Sequence, residues 1–233
     1  MCLVSFIPIE KGFILSSNRD ESPLRDAVDI HQFSINEEQV YYPLDTKGGS
    51  WIMVSNRQRL VCILNGAYEN HERRLPYKMS RGQVAKDFFS YSSAVDFFEN
   101  FDFWNIEPFT MVIYDNGYLY DFRWDGSIKH VTELDLHERH VWSSCTLYPY
   151  EVVGERQELL MNKLDEIINI HADERLMRAH TYKDDDNLFN GLYMNRSEIV
   201  KTISHTQITM TSSGTSMDYY NLLANTVTTK RIA

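Results

Sequence analysis

The residues best suited to do chemistry lie within the first two dozen positions. Cys2 carries a thiol, and Asn18-Arg19-Asp20-Glu21 carry an amide, a guanidinium and two carboxylates. Cysteine is small, and an initiator Met before a small residue is usually removed. Removal of Met1 would leave Cys2 with a free α-amine beside its own thiol. The amine titrates at about pH 8 and the thiol at about 8.5, so the amine can take the thiol proton without large tuning. A nucleophile activated by an N-terminal amine is an established catalytic arrangement. Arg19 nearby would favour the thiolate, and Asp20 would hold the ammonium through hydrogen bonds. The bland alternative is a small apolar residue at position 2 and a solvated turn at 18–21.

What decides between them is whether the chain brings the two stretches together. Cys2–Pro8 and Phe13–Leu15 are apolar runs joined by Glu10-Lys11-Gly12. Two β-rich runs around a short Gly-containing turn predict a hairpin. That hairpin places Asn18 to Glu21 beside Cys2. Further on, Gly48-Gly49 before Ser50-Trp51 permits positive φ or a close backbone approach. The apolar run Leu60–Leu64 ends at Asn65-Gly66. An Asn ending a strand aimed at the nucleophile can donate its amide to an oxyanion, although Asn-Gly is also a plain turn dipeptide. Ser80-Arg81-Gly82-Gln83 has the form of a capping box. Trp142-Ser143-Ser144 precedes another helical stretch.

Met-Cys at the start, Asn18-Arg19-Asp20-Glu21 and Gly48-Gly49-Ser50-Trp51 together resemble the NRDE family, also called the transport-and-Golgi-organisation family. Leu64-Asn65, Ser80-Arg81-Gly82 and Trp142-Ser143-Ser144 follow in the family's order. The family is similar to N-terminal-nucleophile hydrolases of the choloylglycine hydrolase and acid ceramidase type. The resemblance implies an α+β fold, a four-layer αββα sandwich with two stacked, mostly antiparallel sheets. It implies Cys2, Arg19, Asp20 and Asn65 as catalytic residues, and Asn18, Glu21, Trp51 and Ser144 as substrate-contacting ones. Many members carry Asn where this chain has Ser144, but a Ser hydroxyl can still donate.

Composition bounds the rest. A chain of 233 residues suits one domain with a sizeable core. The formal net charge of −10 argues against a nucleic-acid surface and gives no help toward an anionic membrane. Three unpaired-looking cysteines, Cys2, Cys62 and Cys145, fit a reducing compartment. No signal peptide or membrane-length run is legible, so a cytoplasmic location is expected. No metal is expected. The three-residue spacing of His137 and His140 would suit a metal on a helix face, but Glu133, Asp135 and Glu138 make that stretch read as solvated surface.

Tyr68 to Met79 reads as an exposed loop that could cover the site. Asp115-Asn116-Gly117 and Asp125-Gly126 mark a three-stranded meander. A long helix is expected from near Tyr150, its face carrying Leu160, Leu164, Ile167, Ile168 and His171. Residues 173–190 read as charged and irregular, Glu198 to Ile203 as a strand or a short helix, and Ile208 to Thr211, Ser216 to Leu222 and Thr226 to Arg231 as closing strands. Two functions follow. One is a cysteine amidohydrolase acting on a small-molecule, non-peptide amide through a thioester. The other is a binding protein for haem, a lipid or an acyl thioester, with His71 as a ligand and no turnover.

Overall fold

The computed structural model describes residues 2–166 and 171–232. Two seven-stranded antiparallel sheets stack face to face. The strands are β1 (Cys2–Ile9), β2 (Gly12–Glu21), β3 (Ala27–Ile35), β4 (Glu38–Asp45), β5 (Ile52–Ser55), β6 (Arg59–Asn65), β7 (Phe109–Asp115), β8 (Tyr118–Trp124), β9 (Lys129–Leu134), β10 (His140–Ser143), β11 (Asn195–Arg196), β12 (Val200–Thr211), β13 (Gly214–Asn221) and β14 (Thr226–Ile232). The first sheet runs β10-β1-β2-β12-β13-β14, with β11 paired to β12, and the second runs β3 to β9 in chain order. The helices are α1 (Arg81–Asp87), α2 (Ala94–Asn100), α3 (Tyr150–Glu166) and α4 (Ala172–His180).

The continuous apolar run of β1 reflects burial on both faces. Cys2, Val4 and Phe6 join the core between the sheets. Leu3 and Ile7 pack with Leu160, Leu164, Leu176 and Ala179 of α3 and α4 on the outer face. The second sheet carries α1 and α2 on its far side, where Phe88, Phe97 and Phe122 form an aromatic cluster. The αββα order expected from the sequence is therefore present. The buried Arg59 stacks 4.4 Å over Phe88 and is neutralised by Glu38 at 2.7 Å and Asp115 at 3.2 Å.

Several local readings change. Residues 172–180 form α4 instead of an irregular stretch, because Leu176, Ala179 and His180 make a buried stripe. His171 stands at the N-terminal boundary of α4, without a side-chain capping bond, and is not on the α3 face; Ile167 and Ile168 lie outside the described residues. His140 opens a strand, so its spacing from His137 is not helical. Residues 200–211 are one long strand. Ser80 caps α1 through Gln83 N–H at 3.2 Å, but the Gln83 side chain bonds Asp87 at 2.6 Å and leaves the box half made. Ser80→Ala is expected to cost about 1 kcal/mol, the usual worth of such a cap. Urea unfolding with an unchanged m-value would show it.

Candidate active site

The hairpin β1–β2 sets Cys2 directly opposite Arg19. Opposed residues of an antiparallel pair share a face, so thiol and guanidinium face the same way. Both line a cleft of about 550 Å³, together with Glu21, Trp51, Asn65 and Arg81. Strand alternation divides the four-residue motif. Arg19 and Glu21 turn to the cleft, while Asn18 turns under α4 and Asp20 toward α3.

Arg19 is held firmly. It donates to the Arg25 carbonyl at 2.5 Å and to Asp45 Oδ2 at 2.6 Å, and its guanidinium lies 4.2 Å above the Trp51 ring. Arg25 donates to the same Asp45 oxygen at 2.6 Å, and the Gly49 and Lys47 N–H groups bind Oδ1. Burial pushes the Asp45 carboxyl up, but the Gly49 N–H, Arg19, the Lys47 N–H and Arg25 outweigh it and hold it low. Glu21 behaves alike: burial raises it, yet surrounding positive charge, Arg25 and Arg19 included, and the Ser22 N–H leave it below the ordinary value.

Burial also dominates at Cys2, which is 2% exposed. It pushes the thiol up; Asp20 adds to that, and Arg19 and a hydrogen bond from Ser17 recover only part. The expectation that Arg19 sets the thiol's acidity therefore meets a stronger opposing effect, desolvation. Cys62 lies in the same inter-sheet core, and burial raises it further, with Cys2 adding to the rise.

Asp20 is fully buried. Its Oδ1 accepts from Thr202 Oγ1 at 2.7 Å and its Oδ2 from Arg156 at 3.2 Å. Asn18 donates to the carbonyls of His180 at 2.7 Å and Leu192 at 3.1 Å, and binds His205 Nδ1 at 2.8 Å. Asn18 ties α4 and the segment after it to the back of the nucleophile's hairpin, and Asp20 ties α3 and β12 to it. Asn65 ends β6 at the cleft, and among the described residues its side-chain amide bonds no protein atom.

Ser144 does not line the cleft. Its N–H donates to the Cys2 carbonyl at 3.0 Å and its hydroxyl to the Asn65 carbonyl at 2.8 Å. It is a buried strut between the two residues. The strut exists because β10 pairs with β1, Leu3 opposite Ser143. Two glycines are required nearby. A Cβ at Gly66, where φ is +81°, would come 2.3 Å from Cys145 Sγ. A Cβ at Gly82 would come 2.7 Å from the Ser50 carbonyl. Gly82 thus packs directly on Ser50.

Sequence reasoning missed Asp45, Arg25, Arg81 and Glu107. Glu107 gathers Arg81 at 3.3 Å, Arg73 at 3.2 Å and His71 at 3.4 Å on the cleft wall. His71 itself lines a neighbouring groove and not the Cys2 cleft. A lone Glu before Pro108 offers no signal in the sequence.

The Transport and Golgi organisation 2 family model matches residues 1–228. The chain belongs to that family. No curated protein sequence matches it. Among solved structures, this family member is similar to penicillin V acylase from Agrobacterium tumefaciens, with TM-score 0.60 and 8% identity over 99% of this chain and 86% of that chain. It is also similar to the C2A mutant of conjugated bile acid hydrolase from Clostridium perfringens, with TM-score 0.53 and 10% identity over 99% and 92%. At such identities the likeness concerns the fold, which is the N-terminal-nucleophile-hydrolase type expected from the sequence.

Proposed function

We propose that this chain is an N-terminal cysteine amidohydrolase for a small, non-peptide amide. The observation that carries the reading is the convergence of Cys2, Arg19 and Asn65 on one cleft. The two solved structures named above are called hydrolase and acylase, which supports the class.

The reading requires loss of Met1. The α-amine of Cys2 then takes the Sγ proton. The sulfur attacks the amide carbon, and the carbonyl oxygen becomes an oxyanion that accepts from the Asn65 side-chain N–H. The C–N bond breaks, and the leaving amine takes the proton from the α-ammonium. A thioester remains on Cys2. Water attacks it, the amine receives the water's proton, and the acid and free thiol are released. Arg19 keeps positive charge beside the sulfur, and Asp45 holds Arg19 in place.

Intact mass of the purified protein tests the first requirement. The expected mass lacks Met1, and incubation with a cleaved amide adds an acyl group to the peptide containing Cys2. A chain that retains Met1 cannot use this mechanism. The burial that raises the Cys2 thiol favours a second reading, in which the same cleft carries a lipid, an acyl thioester or haem without turnover. The family's name, with its reference to transport, supports it. Binding that survives Cys2→Ala, with no amide cleaved by the parent, would select that reading.

A further inference from the structure

We propose that the compound taken by the Cys2 cleft carries a carboxylate, and that Arg81, assisted by Arg73, receives it beside Asn65. The proposal rests on the amidohydrolase reading for the bond that is cut, and on the cleft's own charges for the binding.

Four arginines and two glutamates line the cleft: Arg19, Arg25, Arg73 and Arg81 against Glu21 and Glu107. The arginines fall into two pairs. Arg25 donates to Glu21 at 2.9 Å, and Arg19 and Arg25 both donate to Asp45 at 2.6 Å. There two guanidiniums meet two carboxylates, and the charges cancel. Arg81 and Arg73 instead share the single carboxylate of Glu107, at 3.3 Å and 3.2 Å. His71 Nε2 lies 3.4 Å from that same carboxylate. Among the described residues, neither arginine contact to Glu107 has hydrogen-bond geometry. Arg81 donates only to the Pro108 carbonyl, at 3.3 Å, and Arg73 donates to none. One positive charge is left over, and most of the five N–H donors on each guanidinium lack a partner. The Arg81 side chain is only 16% exposed, so water reaches little of it. Burial pulls Arg81 below its ordinary value; Glu107 opposes the pull and Arg73 adds to it. An anion beside Arg81 relieves both the burial and the repulsion.

The position suits a substrate. The Pro108 carbonyl that accepts from Arg81 also accepts from the Gly66 N–H, at 3.0 Å. Phe109, the next residue, pairs with Asn65 across β6 and β7. Arg81 therefore reaches the end of β6, where the proposed oxyanion donor stands. A carboxylate held there lies within a few bonds of the scissile carbonyl. Leu75, Tyr77 and Met79 line the same cleft and supply apolar surface for an acyl chain.

Charge count selects the anion. The surplus of one matches a carboxylate, whereas a phosphate would bring about two negative charges. A guanidinium fork also fits a carboxylate edge to edge. The net charge of −10 does not oppose a small anion inside the cleft, because acids beyond about 8 Å are largely screened at physiological salt.

The test uses the Cys2→Ala protein, which binds without turnover. Its ligands are N-octanoylglycine and N-octanoylglycinamide, equal in shape and different by one negative charge. Calorimetry is expected to show the acid bound at least about tenfold more tightly, the effect of one charge-assisted hydrogen bond. Adding Arg81→Gln should bring the acid close to the amide, and Arg73→Gln should lower the preference less. Adding Glu107→Gln removes the competing carboxylate and should raise the preference, a gain that damage to the fold would not produce. Glu107→Gln and Arg73→Gln carry the test if circular dichroism shows that Arg81→Gln does not fold. The proposal is overturned if acid and amide bind alike, if neither binds, if the preference persists in a folded Arg81→Gln protein, or if Glu107→Gln lowers it. If the acid is preferred in this pattern while the parent cleaves neither compound, the carboxylate site stands and the amidohydrolase reading fails.

Discussion

A Cys2→Ala protein is expected to fold like the parent and to lose at least about a thousand-fold in activity on any amide the parent cleaves, because deleting a covalent nucleophile removes the reaction path and not one contact. The fold should survive, since the change removes one sulfur from a core that also holds Val4, Phe6 and Leu15. Cys2→Ser should retain little activity, because a hydroxyl is a far weaker acid than a thiol. Cys62→Ala should stay close to the parent in rate and pay only in packing. A thiol reagent should label Cys2 before Cys62, because Cys2 lines the cleft and Cys62 does not. Steady-state kinetics of the three variants, alongside their circular dichroism, decides the matter. A Cys2→Ala protein that hydrolyses the amide as the parent does would end the amidohydrolase reading.

Lowering the pH from 7 toward 4 is expected to remove several kcal/mol of stability through the histidines behind the site. His180 and His205 are fully buried, with ring centroids 4.9 Å apart. Burial drives His180 well below its ordinary value, with His205 and Arg156 adding to the effect. Burial likewise lowers His205 to about 4. The unfolded chain takes up both protons as pH falls through about 6.5, whereas in the folded chain His205 resists until about 4 and burial holds His180 well below its ordinary value. The unfolded state binds more protons in that window, so stability is complete above it and declines as pH drops through it. For His205 alone the loss is about 3 kcal/mol by pH 4. Asp45 and Glu21, held low in the fold, push in the same direction but only once the unfolded carboxylates begin to protonate, near pH 4. Urea unfolding at a series of pH values measures the slope. His205→Gln should flatten it between pH 6.5 and 4, whatever it does to the absolute stability. An unchanged slope in that variant would refute the assignment.

Much of this is legible in the sequence. The hairpin of β1 and β2 was legible because two apolar runs around Gly12 leave few alternatives, and it carried Asn18 to Glu21 to Cys2. The layered αββα fold came from the NRDE resemblance, and the meander from Asn116-Gly117 and Asp125-Gly126. These are local signals: turn chemistry, strand period and short motifs. They were enough to name Cys2, Arg19, Trp51 and Asn65, which the folded chain does place on one cleft.

Tertiary structure decided the partners. Residues 18–21 alternate in a strand, so a contiguous motif serves two faces, and only the packing of α3 and α4 says that Asn18 faces His180 and Asp20 faces Arg156. Ser144 is a strut because β10 joins β1 across more than a hundred residues of chain. Asp45 reaches Arg19, and Glu107 reaches Arg81, across 26 residues of chain in each case. The acidity of Cys2 was decided the same way. A sequence shows the arginine that would lower it, but desolvation is a property of the packed interior, and at this site the burial outweighs the charge.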